Sequence, residues 1–198
     1  MAMDGRALRS ARSRAAIEQA LYALVGEGIV DPTAQEVAAR AGVALRSVFR
    51  HFSDRESLFS SLDARLRQEA MPLVRDARPG DPLPVRIHDL IHQRAKLFDR
   101  IAPYKRSADL QRGRSEFIQG QHLHLVRELR AGLLRWLPEL ATAPGDVRDA
   151  VELATSFEAW VRLRNEQRLS RPRAIAVVER LVTALLPAGG STTRKVRP

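Results

Sequence analysis

The stretch "AGVALRSVFRHF", residues 41–52, decides the fold of this 198-residue chain. Helical stepping of about 100° per residue divides it into two arcs. The apolar arc consists of Leu45, Val48, Phe49 and Phe52. The opposite arc consists of Arg46, Ser47, Arg50 and His51. Because so short a helix is not stable alone, the pattern predicts that the apolar arc packs against neighbouring helices and that the polar arc is presented to a partner.

The flanking residues predict a tight turn between two helices. In "TAQEVAARAG", Thr33 and Glu36 have the spacing of a capping box, and Gly42 suits the left-handed residue that ends a helix. A first helix is expected from about residue 10 to 25, and a second capping box, Ser53 with Glu56, begins a later one. The order helix, glycine turn, helix is typical of helix-turn-helix proteins, whose second helix enters the major groove of DNA.

The charges on this segment agree with DNA as the partner. Arg46, near the start of the second helix, can donate two hydrogen bonds to guanine. A net charge of +10 and the arginine-rich stretch "RALRSARSR", residues 6–14, favour an anionic partner and a basic arm. Each feature has an alternative explanation. The second helix could be a short surface helix with solvated arginines, residues 6–14 could be a disordered tail, and a GC-rich genome alone could produce the excess of arginine.

The longer stretch "TAQEVAARAGVALRSVFRHFSDRESLF", residues 33–59, resembles the DNA-binding segment of TetR-type transcriptional regulators. The matching residues are Thr33, Val37, Ala38, Ala41, Gly42, Val43, Phe49, His51, Phe52, Arg55 and Glu56. The resemblance covers about residues 10 to 65. It implies a recognition helix at about 44–51. The DNA-binding residues it implies, together with the polar arc, are Thr33, Ala44, Arg46, Ser47, Phe49, Arg50, His51 and Arg55.

Three positions depart from the family pattern. Ala44 replaces the usual Ser and removes a hydroxyl that could cap the recognition helix or touch a phosphate. Phe49 stands where Tyr is common, which leaves the ring a packing role, and Arg55 replaces Lys as a cation that can still contact phosphate. We therefore expect DNA affinity to depend more on Arg50, His51, Arg55 and the basic arm.

The rest of the chain also predicts helices. Apolar residues recur at helical spacing and alternating strand patterns are missing, so the fold class is all-α. The proline-rich stretch "MPLVRDARPGDPLP", residues 71–84, marks a break. The predicted domains are a three-helix helix-turn-helix domain at 9–69, a helical ligand-binding and dimerisation domain at 70–187, and a disordered tail at 188–198. Helices are expected at about 84–101, 114–137, 146–169 and 172–186, with a short turn after Pro103.

The resemblance implies that the last two long helices form a dimer. Their apolar seams are compatible with a four-helix interface, and paired DNA half-sites require a two-fold dimer. The predicted interface residues are Val151, Ala154, Phe157, Val161, Val178, Leu181, Val182 and Leu185. The alternative is that these seams belong to the core of one chain.

The resemblance also implies a ligand cavity in the second domain. Polar residues on apolar stripes are the candidates, since a buried polar group needs a partner and a ligand can be one. The candidate ligand-binding residues are Arg94, Phe98, Tyr104, Phe117, His122, Trp136 and Glu158. Each polar candidate can instead have a side-chain partner, and Arg94 and Glu158 could pair with each other.

The sequence offers little support for catalysis. His88 and His92 lie four residues apart, but no acidic third ligand has matching spacing, so we expect no metal site, and no cofactor motif is found. The chain has no cysteine, no apolar leader near its start and no membrane-length apolar run. We expect a cytoplasmic protein that is not an enzyme and that does not bind a membrane.

The predicted function is that of a sequence-specific transcriptional regulator. Its partners are double-stranded DNA with a palindromic operator, a second copy of the chain and a small-molecule effector, and the expected action is repression released by that effector. One alternative is an architectural or constitutive DNA-binding protein without a ligand. An alternative of another class is a helical enzyme.

Overall fold

The computed structural model describes residues 5–186 except Pro79, and the side chains of Arg55 and Met71 also lie outside the described part. The predicted tail at 188–198 falls outside it as well. Within the described part the ordered elements are helical, as predicted, and no strand occurs. The helices are α1 (Gly5–Gly26), α2 (Ala34–Ala41), α3 (Leu45–His51), α4 (Arg55–Ala70), α5 (Leu83–Arg112), α6 (Glu116–Trp136), α7 (Gly145–Ala154), α8 (Phe157–Val161) and α9 (Arg171–Leu185).

The described chain forms two compact units. The first unit contains the described residues up to Pro72 together with Arg100–Leu125, and the second contains Leu73–Asp99 and the described residues from Val126 onward. This division differs from the predicted domain boundaries, because residues 100–125, which the sequence assigns to the second domain, pack with the N-terminal helices.

The core of the first unit gathers apolar residues from α1 to α4 and from the segment 100–125. Ile17, Leu21 and Val37 are fully buried, and Tyr104 and Ile118 belong to the same cluster. The Tyr104 ring stacks on Tyr22 with the ring centroids 4.6 Å apart. Stacked aromatic pairs stabilise a core beyond the area that they bury, so the later segment is an integral part of this unit.

The structure corrects two predicted helix boundaries. The helix expected at 84–101 continues through Pro103 to Arg112. A proline removes one backbone donor without ending a helix whose other contacts persist. The helix expected at 146–169 is interrupted after Ala154, because the Ser156 hydroxyl accepts a hydrogen bond from the Ala159 amide and begins a new helix.

The cap of α4 also differs from the prediction. The Asp54 carboxylate accepts a hydrogen bond of 2.7 Å from the Ser57 amide, in the position that the predicted capping box gave to Ser53. The Glu56 carboxylate accepts a hydrogen bond from the Ser115 hydroxyl at 2.6 Å instead of turning back to Ser53. Both Asp and Ser can cap a helix, and Asp54 lies one residue closer to the helix.

No helix in the described part of the chain is long and apolar enough to cross a membrane.

Candidate nucleic-acid interface

The turn between α2 and α3 has the geometry that its sequence predicts. The Glu36 amide donates a hydrogen bond of 3.2 Å to the Thr33 hydroxyl, and the Thr33 amide donates one of 2.7 Å to the Glu36 carboxylate. Gly42 ends α2 with φ at +65°, a conformation that residues with a side chain rarely adopt. The capping box and the glycine turn are thus confirmed, and they set where α3 begins.

The buried side of α3 is narrower than predicted. Val48 and Phe52 are buried, whereas Leu45 is 43% exposed and Phe49 is 61% exposed. The two buried residues are four apart and therefore lie above one another on the helix. Helix α3 contacts α1 and α2, but the exposure of Leu45 and Phe49 shows that the prediction that these two residues pack in the core is wrong. Phe49 belongs to the presented surface.

Arg46 and Arg50 are exposed on this surface, and neither forms an ion pair or hydrogen bond with another described side chain. Arg40 on α2 differs, since its guanidinium binds the Glu27 carboxylate with hydrogen bonds of 2.6 and 2.7 Å. That pairing lowers the pKa of Glu27 and raises the pKa of Arg40. Two cations of α3 are consequently available to an anionic partner, while the neighbouring cation of α2 is engaged.

The remaining predicted contact residues lie in different surroundings. Thr33 and Ala44 are exposed, and Ala44 occupies the cap position of α3 without any side-chain hydrogen bond. Ser47 and His51 are partly buried, so the polar arc is not presented as a whole. The Arg55 side chain falls outside the described residues.

His51 lies close to the core rather than on the open surface. Its Nε2 atom is buried without a hydrogen-bond partner among the described residues. Burial lowers the pKa of His51, and the nearby charges of Arg50 and Arg14 lower it further. The ring is therefore neutral at physiological pH and is not a cationic contact in the free protein.

The predicted basic arm is part of a helix. Helix α1 begins at Gly5, so Arg6, Arg9, Arg12 and Arg14 all lie on it. Arg14 forms an ion pair of 3.1 Å with Glu18, and its guanidinium lies 4.8 Å from the centroid of the Phe52 ring. Arg9 and Arg12 are exposed, and they extend the basic surface of the first unit as a helical face.

A capped helix, a glycine turn and a short helix with free arginines together define the first unit as a helix-turn-helix DNA-binding module. The sequence profile of the bacterial regulatory proteins of the tetR family matches residues 17–62, which include the turn and both of its helices. Residues 17–62 are therefore a DNA-binding domain of the type found in bacterial regulatory proteins of the tetR family.

Two solved structures from Rhodococcus sp. RHA1 share the fold. One is a transcriptional regulator with 17% identity and a TM-score of 0.64, and the match covers 89% of this chain and 95% of that one. The other is a TetR transcriptional regulator with 17% identity and a TM-score of 0.54, covering 93% of this chain and 98% of that one. A comparison with curated proteins finds no significant match.

The seven residues predicted to bind a ligand are divided between the two units. Tyr104, Phe117 and His122 lie in the first unit. Tyr104 stacks on Tyr22, Phe117 packs against the core, and His122 Nδ1 lies 2.8 Å from Lys105 Nζ. All three residues therefore have partners within the first unit.

In the second unit, Arg94 and Phe98 line one small cavity with Ala154, Thr155 and Trp160. The cavity measures about 10 Å³, which is about the space that one water molecule needs. Trp136 donates its indole N–H to the Arg75 carbonyl at 2.9 Å, and Glu158 is exposed.

Arg94 is held by internal acceptors. Its guanidinium donates hydrogen bonds to the Thr155 carbonyl at 2.6 Å, the Thr155 hydroxyl at 2.7 Å and the Leu129 carbonyl at 2.5 Å. Burial lowers the pKa of Arg94 to about 10, so the side chain remains charged at neutral pH. The alternative that Arg94 pairs with Glu158 is not what the structure shows, since Glu158 is exposed and the guanidinium binds Thr155 and Leu129.

Half of the eight residues of the predicted dimer seam belong to the core of the single chain. Val151, Phe157, Val178 and Val182 are between 0% and 5% exposed in the single chain. Side chains that are already covered have no surface left for a second copy. Leu181 is 48% exposed, and the other predicted members, Ala154, Val161 and Leu185, are partly buried.

The histidine pair on α5 has an acidic neighbour that sequence spacing does not reveal. Glu179 on α9 reaches His88 with a distance of 2.8 Å between Glu179 Oε1 and His88 Nδ1. The same oxygen lies 3.8 Å from His92 Nε2. The spacing of the sequence does not reveal this neighbour, because Glu179 is 87 residues beyond His92 and reaches the pair from another helix.

Proposed function

We propose that the protein is a transcriptional repressor that acts in the cytoplasm, binds a palindromic operator as a homodimer and is released by a small molecule. The observation that supports this proposal most is the exposed face of α3, where Arg46, Phe49 and Arg50 have no polar or ring contact with another of the described side chains. The family supplies the DNA-binding role, and this face is the part of the chain with which we propose that the role is performed.

Arg46 and Arg50 would have different tasks at the DNA. Arg46 lies in the first turn of α3, the part of a recognition helix that reaches base edges, and we propose that it reads guanine in the major groove. Arg50 lies one turn later, where phosphates are nearer. Thr33, Ser47, His51 and Arg55 are proposed as backbone contacts on the strength of the family resemblance.

A palindromic operator requires a two-fold dimer. We propose that the dimer forms through the outer face of α9, where Leu181 is 48% exposed and Val177 and Ala184 lie on the same side of the helix. This proposal replaces the broader predicted seam, whose buried members serve the core. The same face of α9 from each protomer would pack against its copy across the two-fold axis.

Release by a small molecule needs a cavity that the ligand can occupy. A ligand weakens DNA binding only through its different affinities for the two conformations. The cavity beside Arg94 is about 10 Å³, so an effector would bind there only by separating the α7–α8 junction from α5. A second candidate function is a constitutive DNA-binding regulator without an effector, and it is favoured by the internal acceptors that already bind the guanidinium of Arg94.

A thermal-shift screen with lipophilic and acidic compounds separates the two functions. A genuine effector must raise the melting temperature by mass action and must also reduce operator affinity. Compounds that raise the melting temperature without changing operator affinity, or a screen without any binder, would favour the constitutive function.

The DNA-reading proposal is tested with Arg46→Ala on an operator selected from a random DNA pool. We expect a loss of about 1 to 3 kcal/mol per half-site on this operator and little change on random DNA. Arg162→Ala removes an exposed arginine from the second unit and serves as the matched control. Equal losses for Arg46→Ala on operator and random DNA would show that Arg46 contacts phosphate and would overturn its base-reading role.

Phe49→Tyr tests whether the exposed ring reaches the DNA backbone. Because 61% of Phe49 is exposed, a hydroxyl can be added without disturbing the core. We expect tighter binding to all sequences and unchanged sequence preference, measured by fluorescence anisotropy on both DNAs. Unchanged affinity would place the ring edge away from the phosphates.

A further inference from the structure

His88, His92 and Glu179 converge on one point of the second unit. The two histidines lie one turn apart on α5, and their ring centroids are 4.1 Å apart. Glu179 is contributed by α9, 87 residues beyond His92 in the chain. One candidate ligand atom from each of the three side chains lies within 4.8 Å of the other two. In the part of the chain that the structure describes, these three residues form a group close enough to share one ion.

The types of side chain fit a divalent transition metal. Imidazole nitrogens and a carboxylate oxygen are the ligands of zinc sites that keep a fourth position open. At metal–ligand distances of about 2.0 to 2.2 Å, tetrahedral ligand atoms lie roughly 3.3 Å apart. The distances from Glu179 Oε1, 2.8 Å to His88 and 3.8 Å to His92, lie on either side of that value. Small side-chain rotations would equalise them.

The charged side chains around the three residues do not repel a cation. Arg171 is the cationic side chain that acts on His92, but its Nε atom lies 3.3 Å from the Asp99 carboxylate. Asp89 and Glu179 are acidic and also act on His92. The side chain of His88 is 56% exposed, so an ion can reach the group from solvent without opening the core.

We propose that His88, His92 and Glu179 form a binding site for a divalent transition-metal ion of the zinc type. The ion would connect α5 to α9 and would retain an open coordination position for water or another small ligand. The proposal goes beyond the DNA-binding function and does not depend on it, because it concerns residues of the second unit and is tested without DNA.

Isothermal titration calorimetry of the full-length chain with zinc chloride tests the site. The affinity tag is removed and the protein is freed of metal with a chelator beforehand. We expect one ion per chain, and we expect the melting temperature to rise with the zinc concentration. His88→Ala and Glu179→Gln should each weaken zinc binding at least about tenfold, because each removes a direct ligand or its charge. His124→Ala, a histidine of α6 outside the group, should bind zinc like the unmodified chain.

Cobalt(II) provides a second readout, because four-coordinate Co²⁺ absorbs visible light more strongly than the aqueous ion. The unmodified chain and His124→Ala should develop this absorption, and His88→Ala should not. His88 is exposed, so its replacement keeps the test valid even if Glu179→Gln folds poorly. The proposal is overturned if the unmodified chain binds no zinc, if both ligand variants bind as tightly as it does, or if His124→Ala loses as much affinity as they do.

Discussion

Replacing Arg94 with Met is the perturbation whose cost the structure defines best. The guanidinium is buried, and its hydrogen bonds go to the carbonyls of Thr155 and Leu129 and to the Thr155 hydroxyl. Methionine fills a similar volume but donates no hydrogen bond. Arg94→Met therefore leaves the Thr155 carbonyl at the helix break without a donor, whereas the Leu129 carbonyl lies inside α6 and keeps the donor of the helical backbone. The Thr155 hydroxyl keeps its hydrogen bond of 2.8 Å to the Val151 carbonyl.

The magnitude follows from these groups. Leaving the buried Thr155 carbonyl unsatisfied costs about 1 to 3 kcal/mol, and the two other lost hydrogen bonds, to the Thr155 hydroxyl and the Leu129 carbonyl, cost about 0.5 to 1.5 kcal/mol each, which gives about 2 to 6 kcal/mol in total. Removing the charge recovers part of this cost, because burial lowers the pKa of Arg94 to about 10 and thus disfavours the charged form. We expect a net loss of about 2 to 4 kcal/mol, which lowers the melting temperature of a chain this long by about 4 to 16 °C.

Urea unfolding followed by far-UV circular dichroism measures this loss as a lower midpoint at unchanged slope. Arg162→Met is the matched control, because the Arg162 side chain is 69% exposed and pairs with Glu166, four residues later on the surface of the same segment. The control should change stability by less than about 0.5 kcal/mol. If Arg94→Met costs no more than Arg162→Met, the inference that Arg94 holds α5, α6 and the α7–α8 junction together is refuted.

Three further predictions concern α3, α9 and pH. Ala44→Ser should stabilise the chain by about 0.5 to 2 kcal/mol in urea unfolding, since the cap of α3 lacks a side-chain acceptor. Leu181→Glu should give folded monomers with weakened operator binding in sedimentation; a mutant that stays dimeric would refute the α9 interface. Burial lowers the pKa of His51 in the folded chain, so the unfolded chain takes up the proton first as the pH falls. The free energy of unfolding should therefore decrease once the pH is lower than about 6.5. Between about pH 7.5 and 5.5, His51→Gln should lose less stability than the unmodified chain.

The sequence predicts local features of the DNA-binding segment well because they are determined by neighbouring residues. The capping box of Thr33 and Glu36 and the left-handed Gly42 each depend on contacts within a few positions. The burial of Leu45 and Phe49 depends instead on how wide a stripe α1 and α2 cover. A seven-residue helix can follow the same periodicity with either two or four buried residues, so the pattern alone overstates its packed face.

Features formed between distant segments are beyond such reasoning. Nothing in the spacing of His88 and His92 indicates that Glu179 will lie beside them. The hydrogen-bond acceptors of Arg94 cannot be predicted from the sequence either, because two of them are the backbone carbonyls of Leu129 and Thr155, and every residue has such a carbonyl. The position of a polar residue on an apolar stripe predicts that it has a partner, but it does not distinguish a ligand from the carbonyl at a helix break.

The dependence of the first unit on residues 100–125 has a consequence for exchanging parts between regulators. Arg100 from this segment hydrogen-bonds the Tyr22 hydroxyl at 2.7 Å and also pairs with Glu69, and the same hydroxyl donates to Glu69 at 2.6 Å. A graft that ends at Pro72 would remove Arg100 from this network and would uncover the face of Tyr22 on which Tyr104 stacks. The first unit is thus built from two separate pieces of the sequence, and a chimaera that transfers it intact would have to carry both.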